Sequence, residues 1–222
     1  MKTNLSRKEG EPLSLFKLPD NVFSIQGNAS KFLNGITSNT LEAPLNAFLN
    51  QHGRIIATFR QQKISDDEFL ISVPSIAAGS LLKHLERYAK LSHTKIEESP
   101  QLAYLDMDTS KMVFAATKES NSMSDDVVTF FRLDHQIPLM GMDYKADEFI
   151  LNVHEHDYVS YTKGCFLGQE PVAKVHNRSK PTRKLIVAFE DQCSPEEAST
   201  MTSKIKDLQT GRTKGFVFIS NK

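Results

Sequence analysis

A cysteine between two glycines, with a lysine two residues before it, is the clearest candidate for chemistry in the sequence. Residues 163–170 read Lys-Gly-Cys-Phe-Leu-Gly-Gln-Glu, which places Cys165 close to Lys163. A free cysteine has a pKa of about 8.5 and is only a few per cent thiolate at neutral pH. A nearby ammonium or a helix N-terminus lowers that pKa, and residues 170–175 can form such a helix with Pro171 in its first turn. The residues alone leave two interpretations open, a reactive thiol tuned by Lys163 and a small buried residue at a tight turn.

Metal binding has weaker support in the sequence. His154 and His156 are two residues apart on a strand-like segment, and no third ligand lies nearby in the sequence. The two cysteines, Cys165 and Cys193, cannot by themselves hold a cubane-type cluster, which usually takes four thiolates. We therefore expect no metal site and no stable iron–sulfur cluster in this chain.

The elements that must position Cys165 are predicted from short apolar runs and two amphipathic segments. Strands are predicted where apolar residues alternate or cluster, at 13–18, 22–25, 55–59, 69–73, 112–115, 127–131, 185–189 and 216–219. Helical periodicity follows Asn28, a candidate N-cap, and also runs along residues 75–89, starting at Ser75. A polar stretch at 119–126 predicts an exposed loop, and Ser65-Asp66-Asp67 predicts a hairpin. Because no repeating βαβ rhythm is present, the prediction is an α+β fold with mostly antiparallel sheets.

Composition limits the classes of function. The 222 residues include 27 basic and 27 acidic side chains, so no net positive charge supports general nucleic-acid binding. A local basic patch remains open at Lys174, Arg178, Lys180, Arg183 and Lys184. The sparse cysteines, the absence of a signal-peptide pattern at the N-terminus and the absence of an apolar run of roughly 20 residues predict a cytoplasmic protein that does not enter the membrane.

The stretch 163–170 resembles the signature Lys-Gly-Cys-(Tyr/Phe)-x-Gly-Gln-Glu of the YgfZ-type proteins, which belong to the superfamily of the glycine-cleavage T protein. Residues 27–39 and 49–56 resemble two further blocks of that superfamily, although Asn28 and Asn39 stand where the first block usually has aspartate. The resemblance implies a folate-binding fold, with an α+β region over 1–100, a second, intertwined region over 101–180 and a shortened C-terminal β segment over 181–222. Such a short third segment would leave the folate cavity open or require a partner to close it.

A folate site is also implied by residues 132–143, which resemble the block Arg-x-Glu-x-Gly-x-Pro-x-x-Gly-x-Asp. In T-protein relatives the acidic residue that matches Asp134 lies against the pterin, whose amino group and ring N–H suit a carboxylate. The resemblance therefore assigns Asp134 and Arg132 to the folate site. It also makes Gln169 and Glu170 cofactor-binding candidates, whose main expected role is to hold the cysteine loop in place. Asp134 is one methylene shorter than the usual glutamate, and Gln136 replaces a glycine. Without the resemblance, Asp134 reads equally well as a surface carboxylate paired with Arg132.

The sequence lacks a pair of carboxylates that turnover of a bound folate would require. In the T protein the strand after the glycine turn carries paired aspartates, one of which helps to set up aminomethyl transfer. The matching positions here are Ala57 and Thr58, and neither can act as a carboxylate base or hold a developing positive charge. The resemblance therefore implies a factor that binds tetrahydrofolate or another folate and serves the assembly, maintenance or repair of iron–sulfur proteins. Its expected partners are iron–sulfur client or assembly proteins, with tRNA modification as a further link.

Two other classes of function stay open at this point. The first is a folate-dependent aminomethyl or one-carbon transferase with a relocated carboxylate, which predicts turnover of an aminomethyl or formaldehyde donor. The second is an RNA- or protein-binding module that has lost folate and uses the basic run 174–184. It predicts salt-sensitive RNA binding that is lost when Arg178 and Arg183 are neutralised.

Overall fold

The fold combines three antiparallel sheets with short helices. The computed structural model describes residues 14–116, 123–153 and 155–221. The strands in these ranges are β1 (Leu15–Lys17), β2 (Asp20–Gln26), β3 (Leu45–Leu49), β4 (Ile55–Ser65), β5 (Glu68–Pro74), β6 (Lys95–Glu98), β7 (Leu102–Asp106), β8 (Lys111–Ala115), β9 (Arg183–Phe189), β10 (Thr202–Lys206) and β11 (Thr213–Ser220). The α-helices are α1 (Ala29–Ile36), α2 (Ser75–Ser92), α3 (Asp125–Asp134), α4 (Ile150–Val153), α5 (Glu155–Tyr158), α6 (Gln169–Arg178) and α7 (Pro195–Thr200), and a 3-10 turn covers Glu190–Gln192. The predicted α+β class with mostly antiparallel sheets is confirmed.

A five-stranded sheet in the order β3-β4-β5-β2-β6 forms the centre of the molecule. The predicted hairpin at residues 65–67 is confirmed, because β4 ends at Ser65 and β5 begins at Glu68. Helices α1 and α2 pack against this sheet and bury apolar stripes that include Phe32, Leu33, Leu81 and Leu85. Burial of these side chains, at about 25 cal/mol per Å² of apolar surface, supplies the main stabilisation of this layer.

Two three-stranded sheets complete the fold, in the orders β1-β7-β8 and β10-β11-β9. Strand β1 comes from the region predicted as 1–100, but it pairs with β7 from the region predicted as 101–180. The first two regions therefore share a sheet. The C-terminal sheet lies within residues 183–220 and contacts helices α3 and α4. No helix in the described ranges is long and apolar enough to cross a membrane.

The helix starts predicted from the sequence agree only in part with those in the structure. Helix α2 begins at Ser75, as predicted, and α6 includes the predicted residues 170–175 with Pro171 in its first turn. Asn28 occupies the N-cap position of α1, but it does not cap the helix through its side chain. Its backbone is left-handed, with φ at 50°, and its Nδ2 donates to the carbonyl of Ser92 at 3.1 Å. Asn28 therefore joins α1 to the end of α2.

The strand predicted at 127–131 is wrong, because these residues lie in helix α3. Asp125 and Asp126 in the first turn and Arg132 in the last turn complement the helix dipole, and Val128 and Leu133 face the core. These helix signals outweigh the β propensity of the valines and phenylalanines.

The loop predicted at 119–126 is wrong at its last two residues, which begin α3, and residues 117–122 lie outside the described ranges. Strands β3, β6, β7 and β10 were not predicted.

A buried ion pair joins α3 to the C-terminal sheet. The Arg132 guanidinium donates to Asp143 Oδ2, and both side chains are 2% exposed or less. The other carboxylate oxygen of Asp143 accepts from Thr202 Oγ1 at 2.9 Å and from Ser203 Oγ at 2.5 Å. The backbone N–H of Leu139 donates to Oδ2 at 2.8 Å. Asp143 therefore connects helix α3, the turn after it and strand β10.

Removal of this carboxylate is expected to destabilise the fold strongly. The substitution Asp143→Asn leaves the buried Arg132 guanidinium without its counter-charge, which should lower the free energy of unfolding by about 3–5 kcal/mol. Urea denaturation followed by circular dichroism measures the change. Glu86→Gln is the matched control, since Glu86 pairs with Lys90 on the exposed face of α2 and its loss should leave the denaturation midpoint unchanged. Equal effects of the two substitutions would contradict the role of Asp143.

Candidate functional site

The lysine of the 163–170 loop is anchored to the end of helix α1. Lys163 Nζ donates to the carbonyl of Thr37 at 2.6 Å and to the carbonyl of Asn39 at 2.9 Å, and it lies 5.4 Å from the ring centre of Phe166. Burial lowers the pKa of Lys163 from 10.5 to about 8, because the charged form loses hydration. The N-terminal block and the Lys-Gly-Cys block are therefore in direct contact.

The second glycine of the loop packs against the glycine turn before β4. Gly168 has φ at +84°, and a Cβ at this position would overlap the carbonyl oxygen of Asn50. Gly53 has φ at +72°, and its own Cβ would lie 2.8 Å from Phe149 and 2.9 Å from Val172. Two backbones thus meet where only glycine has both the conformation and the space. Residues 49–56 and 163–170 therefore meet at this point, and Lys163 joins the same loop to residues 27–39.

Cys165 is an exposed residue of the 163–170 loop. Its side chain is exposed and forms no disulfide. The hydrogen bonds of Lys163 Nζ go to the two carbonyls at the end of α1, and within the described residues none joins it to the Cys165 thiol. Cys165 also precedes the first residue of α6, Gln169, by four positions. The structure supports an accessible thiol, and its tuning by Lys163 stays a prediction.

The other predicted site residues are not grouped around one cavity. Arg132 is buried and bound to Asp143, so its guanidinium does not pair with Asp134. Asp134 is exposed at the last residue of α3. Gln169 begins α6, and its backbone N–H donates to the carbonyl of Phe166 at 3.2 Å, while Glu170 is exposed in the first turn. The folate contacts of these four residues stay predictions.

A buried row of hydroxyl groups lies beside strand β4. Thr58 Oγ1 is 2.6 Å from the hydroxyl of Tyr144, and Tyr144 shares a further hydrogen bond with Tyr158. Burial raises the pKa of both tyrosines above the usual value of 10, so both hydroxyls stay protonated at neutral pH. Ala57, the other position that matches the paired aspartates, is fully buried in the core. This part of the strand offers hydroxyl groups and no carboxylate.

The same strand borders a cavity of about 620 Å³. One wall comes from β3, β4 and the residue before β3, and the other from the hairpin of β7 and β8. Ile137, just after α3, also contributes to the lining, and the C-terminal sheet does not. The polar groups include Arg60, Gln61 and Lys111, and the apolar ones include Leu105, Met112 and Phe114. This combination of an apolar body and a few polar groups is typical of sites for small organic ligands.

Sequence reasoning missed Arg60, Tyr144 and Tyr158. Arg60 follows Thr58 by two residues on the same strand, so the alternation of a β-strand places both on one face. That signal was available, because residues 55–59 were predicted as a strand. Tyr144 and Tyr158 come from distant segments, and no spacing in the sequence indicates their contact with Thr58.

The structure adds little support for the two weaker candidates, the histidine pair as a metal site and the basic run 174–184 as a nucleic-acid site. The His154 backbone lies outside the described residues, as do the side chains at 155 and 156. Among the residues that the structure describes, no group of three or more histidine, cysteine, aspartate or glutamate side chains could hold a metal ion. In the basic run, Arg183 pairs with Glu148 and lies 4.5 Å from the ring centre of Phe218, so part of its charge is already neutralised. Lys174 and Arg178 border a shallow groove along α6 that also includes Glu170.

The two glycines of the 163–170 loop are expected to respond differently to substitution. Gly168→Ala forces a side chain into a left-handed conformation against Asn50, which should cost roughly 1–3 kcal/mol of stability. Gly164→Ala is the matched control, because a Cβ there meets nothing within 4 Å. Thermal unfolding of the three proteins measures both effects, and equal melting temperatures would contradict the close approach.

Comparison with known proteins finds a likeness in structure. No family model matches the sequence, and no curated protein matches it. Among solved structures, the chain is similar to the glycine cleavage system aminomethyltransferase T from Bartonella henselae, with a TM-score of 0.67 and 12% sequence identity. The superposition covers 93% of this chain and 78% of that one. At this identity the likeness establishes the fold alone, and this chain therefore has the fold of a glycine-cleavage T aminomethyltransferase.

Proposed function

We propose that this protein binds a folate on the T-protein fold without catalysing aminomethyl transfer, and that it serves the assembly, maintenance or repair of iron–sulfur proteins. The observation that carries the folate part is the cavity of about 620 Å³ beside β4, on a strand that has Ala57 and Thr58 in place of the paired aspartates. A cavity that could hold a ligand thus borders the strand on which the carboxylates for turnover are absent.

The cavity supports binding of a flat, partly apolar ligand. Its volume lies in the range of about 300–1,000 Å³ that is typical of small-molecule sites. Leu105, Met112 and Phe114 offer apolar surface to an aromatic ring, and the exposed Gln62 on β4 supplies a polar group at its edge. A folate combines such a ring system with polar edges.

The hydroxyl row argues against aminomethyl transfer. A base in that reaction must accept a proton near neutral pH, and burial holds the tyrosine hydroxyls at Tyr144 and Tyr158 in the protonated form. Thr58 cannot replace a carboxylate, because its hydroxyl carries no charge that could stabilise a developing cation. The alternative of a folate-dependent one-carbon transferase therefore lacks a proton acceptor at the matching positions.

The exposed thiol supports a role toward another protein. Cys165 is accessible on a loop that Lys163 and Gly168 hold on opposite sides, so a partner can reach the sulfur without unfolding the loop. The resemblance of residues 163–170 to the YgfZ-type signature points to iron–sulfur proteins as the partners.

Calorimetric titration with tetrahydrofolate tests the folate part. We expect the wild type to bind without turnover of an aminomethyl or formaldehyde donor. Gln62→Trp, at an exposed position of the cavity lining, should weaken binding by about tenfold or more because the ring occupies ligand space. Lys63→Trp is the matched control, since the next residue on β4 lies outside the lining.

In the same titration, a loss of binding in Asp134→Ala would assign the pterin to the end of α3. Absence of binding by the wild type would contradict the folate proposal and favour an RNA- or protein-binding module. Turnover of either donor would support the one-carbon transferase instead.

The iron–sulfur part is tested by complementation with cysteine variants. In cells that lack the protein, Cys165→Ser should fail to restore the activity of iron–sulfur enzymes in extracts, because the accessible sulfur is removed. Cys193→Ser should restore it, since the Cys193 thiol is engaged with the carbonyl of Phe189 at 3.4 Å, in the C-terminal segment. Full activity with Cys165→Ser would remove the thiol from the mechanism.

A further inference from the structure

Arg60 is a buried cation that the protein leaves without a hydrogen-bond partner. Only 9% of the residue is exposed, and its guanidinium forms no hydrogen bond within the described residues. Its one ion pair there is with Asp20 Oδ2, at the long distance of 4.0 Å. Buried arginine donors are normally satisfied, because an unpaired buried charge is costly. The geometry of Arg60 therefore leaves hydrogen-bond donors that a ligand can use.

The unused donors of Arg60 are open to the cavity. The only side-chain N or O atom in the described residues that is both fully buried and unpaired is Asn152 Oδ1. The guanidinium nitrogens of Arg60 therefore retain contact with solvent, and Arg60 lines the cavity of about 620 Å³. A group that enters this cavity can reach donors that no protein atom occupies.

Among the described residues, the neighbouring charged groups leave the hydrogen-bond donors of Arg60 unoccupied. Asp20 accepts a hydrogen bond from Ser72 Oγ at 2.5 Å, and its Oδ2 lies 4.0 Å from the Arg60 guanidinium, beyond hydrogen-bond distance. Arg132 lies near Arg60 and interacts with it electrostatically, but the charge of Arg132 is already compensated by Asp143. Lys111 adds a second cation at the exposed rim of the cavity. Arg60 and Lys111 are thus the charged residues of the lining, and both suit an anionic ligand.

The wall opposite Arg60 is largely apolar. Leu105, Met112, Phe114 and Ile137 belong to the smaller hydrophobic cluster of the protein or pack against it. An inorganic anion would leave this surface in contact with water, whereas an aromatic ring would cover it. The lining thus combines one buried cation with one apolar wall.

We propose that the cavity binds an aromatic carboxylate, and that Arg60 is the residue which recognises its anionic group. The inference rests on the proposed function for the choice of this cavity as the ligand site. Arginine suits this role because its planar guanidinium binds a carboxylate through two parallel hydrogen bonds. A folate combines an aromatic body with the two carboxylates of its glutamate tail, and aromatic acids combine a ring with a carboxylate in a smaller molecule.

Binding of three probes to Arg60 variants tests the proposal. The probes are tetrahydrofolate, 1-naphthoate and tetrahydrobiopterin, of which only the last lacks a carboxylate. Arg60→Met should weaken binding of both carboxylates by about tenfold or more and leave tetrahydrobiopterin unaffected, whereas Arg60→Lys should restore part of the affinity. Lys63→Gln is the control cation on the same strand outside the lining, and it should change none of the three affinities.

A structural role of Arg60 predicts a different pattern. Arg60→Met should lower the unfolding temperature of the ligand-free protein far less than Asp143→Asn does, because Arg60 donates no hydrogen bond to the described part of the chain and only its long ion pair with Asp20 is lost. Lys111→Gln, at the exposed rim, keeps the test valid if Arg60→Met fails to fold, and it should weaken both carboxylates by a few-fold. Carboxylate binding that is insensitive to Lys111→Gln, together with unfolding of Arg60→Met, would overturn the proposal.

The outcomes separate this inference from the proposed function. Equal affinity of the wild type and Arg60→Met for tetrahydrofolate would overturn the inference and leave folate binding intact. Binding of 1-naphthoate but not of tetrahydrofolate, with dependence on Arg60, would support the inference and contradict the folate proposal. Binding of neither carboxylate would overturn the inference.

Discussion

The close approach of two backbones at Gly53 and Gly168 determines where the cysteine loop sits. This contact joins the turn that begins β4 to the turn that begins α6, so the loop and the central sheet cannot shift independently. Lys163 adds a second attachment on the other side of Cys165, at the end of α1. The loop is therefore held at both ends while its thiol is exposed. A rigid loop with a free sulfur suits contact with another protein better than chemistry inside a closed pocket.

A second constraint comes from the charge buried in the centre of the molecule. Arg132 is fully compensated, because Asp143 binds it and two hydroxyl groups bind Asp143. Arg60 is not compensated in this way, although it lies nearby. This contrast is the reason for assigning a structural role to Arg132 and a ligand-binding role to Arg60. One of them connects a helix to a sheet, and the other faces an empty volume.

The sequence predicts the architecture better than the site. Strongly alternating segments such as β4 and β5, and helices with a clear apolar stripe such as α2, follow from local pattern. Helix α3 does not, because its valines and phenylalanines favour a strand locally, whereas its charged ends and its packing favour a helix. Strand β3 was missed because its Asn46 interrupts the apolar run, and that asparagine is satisfied only by partners such as Asn39 in the folded chain.

The same limit applies to the candidate site. The glycine-rich motif was visible because its residues are adjacent in sequence, and their convergence with residues 27–39 and 49–56 fits the resemblance. Arg132 was assigned to a ligand, yet its geometry places it in an ion pair with a residue eleven positions away. A carboxylate partner at that separation has no periodic signature. Arg60 had no signal as an anion site, since its lack of a partner is a property of the folded structure alone.

The walls of the cavity belong to different sheets, which has a mechanical consequence. Strand β3 is the edge of the five-stranded sheet, and β8 is the edge of the sheet formed with β1 and β7. In the described part of the chain, no backbone hydrogen bond crosses between these two walls. A small sliding of one sheet past the other can widen or narrow the space without breaking a ladder in either. The width of the opening is thus set by side-chain packing and not by backbone hydrogen bonds.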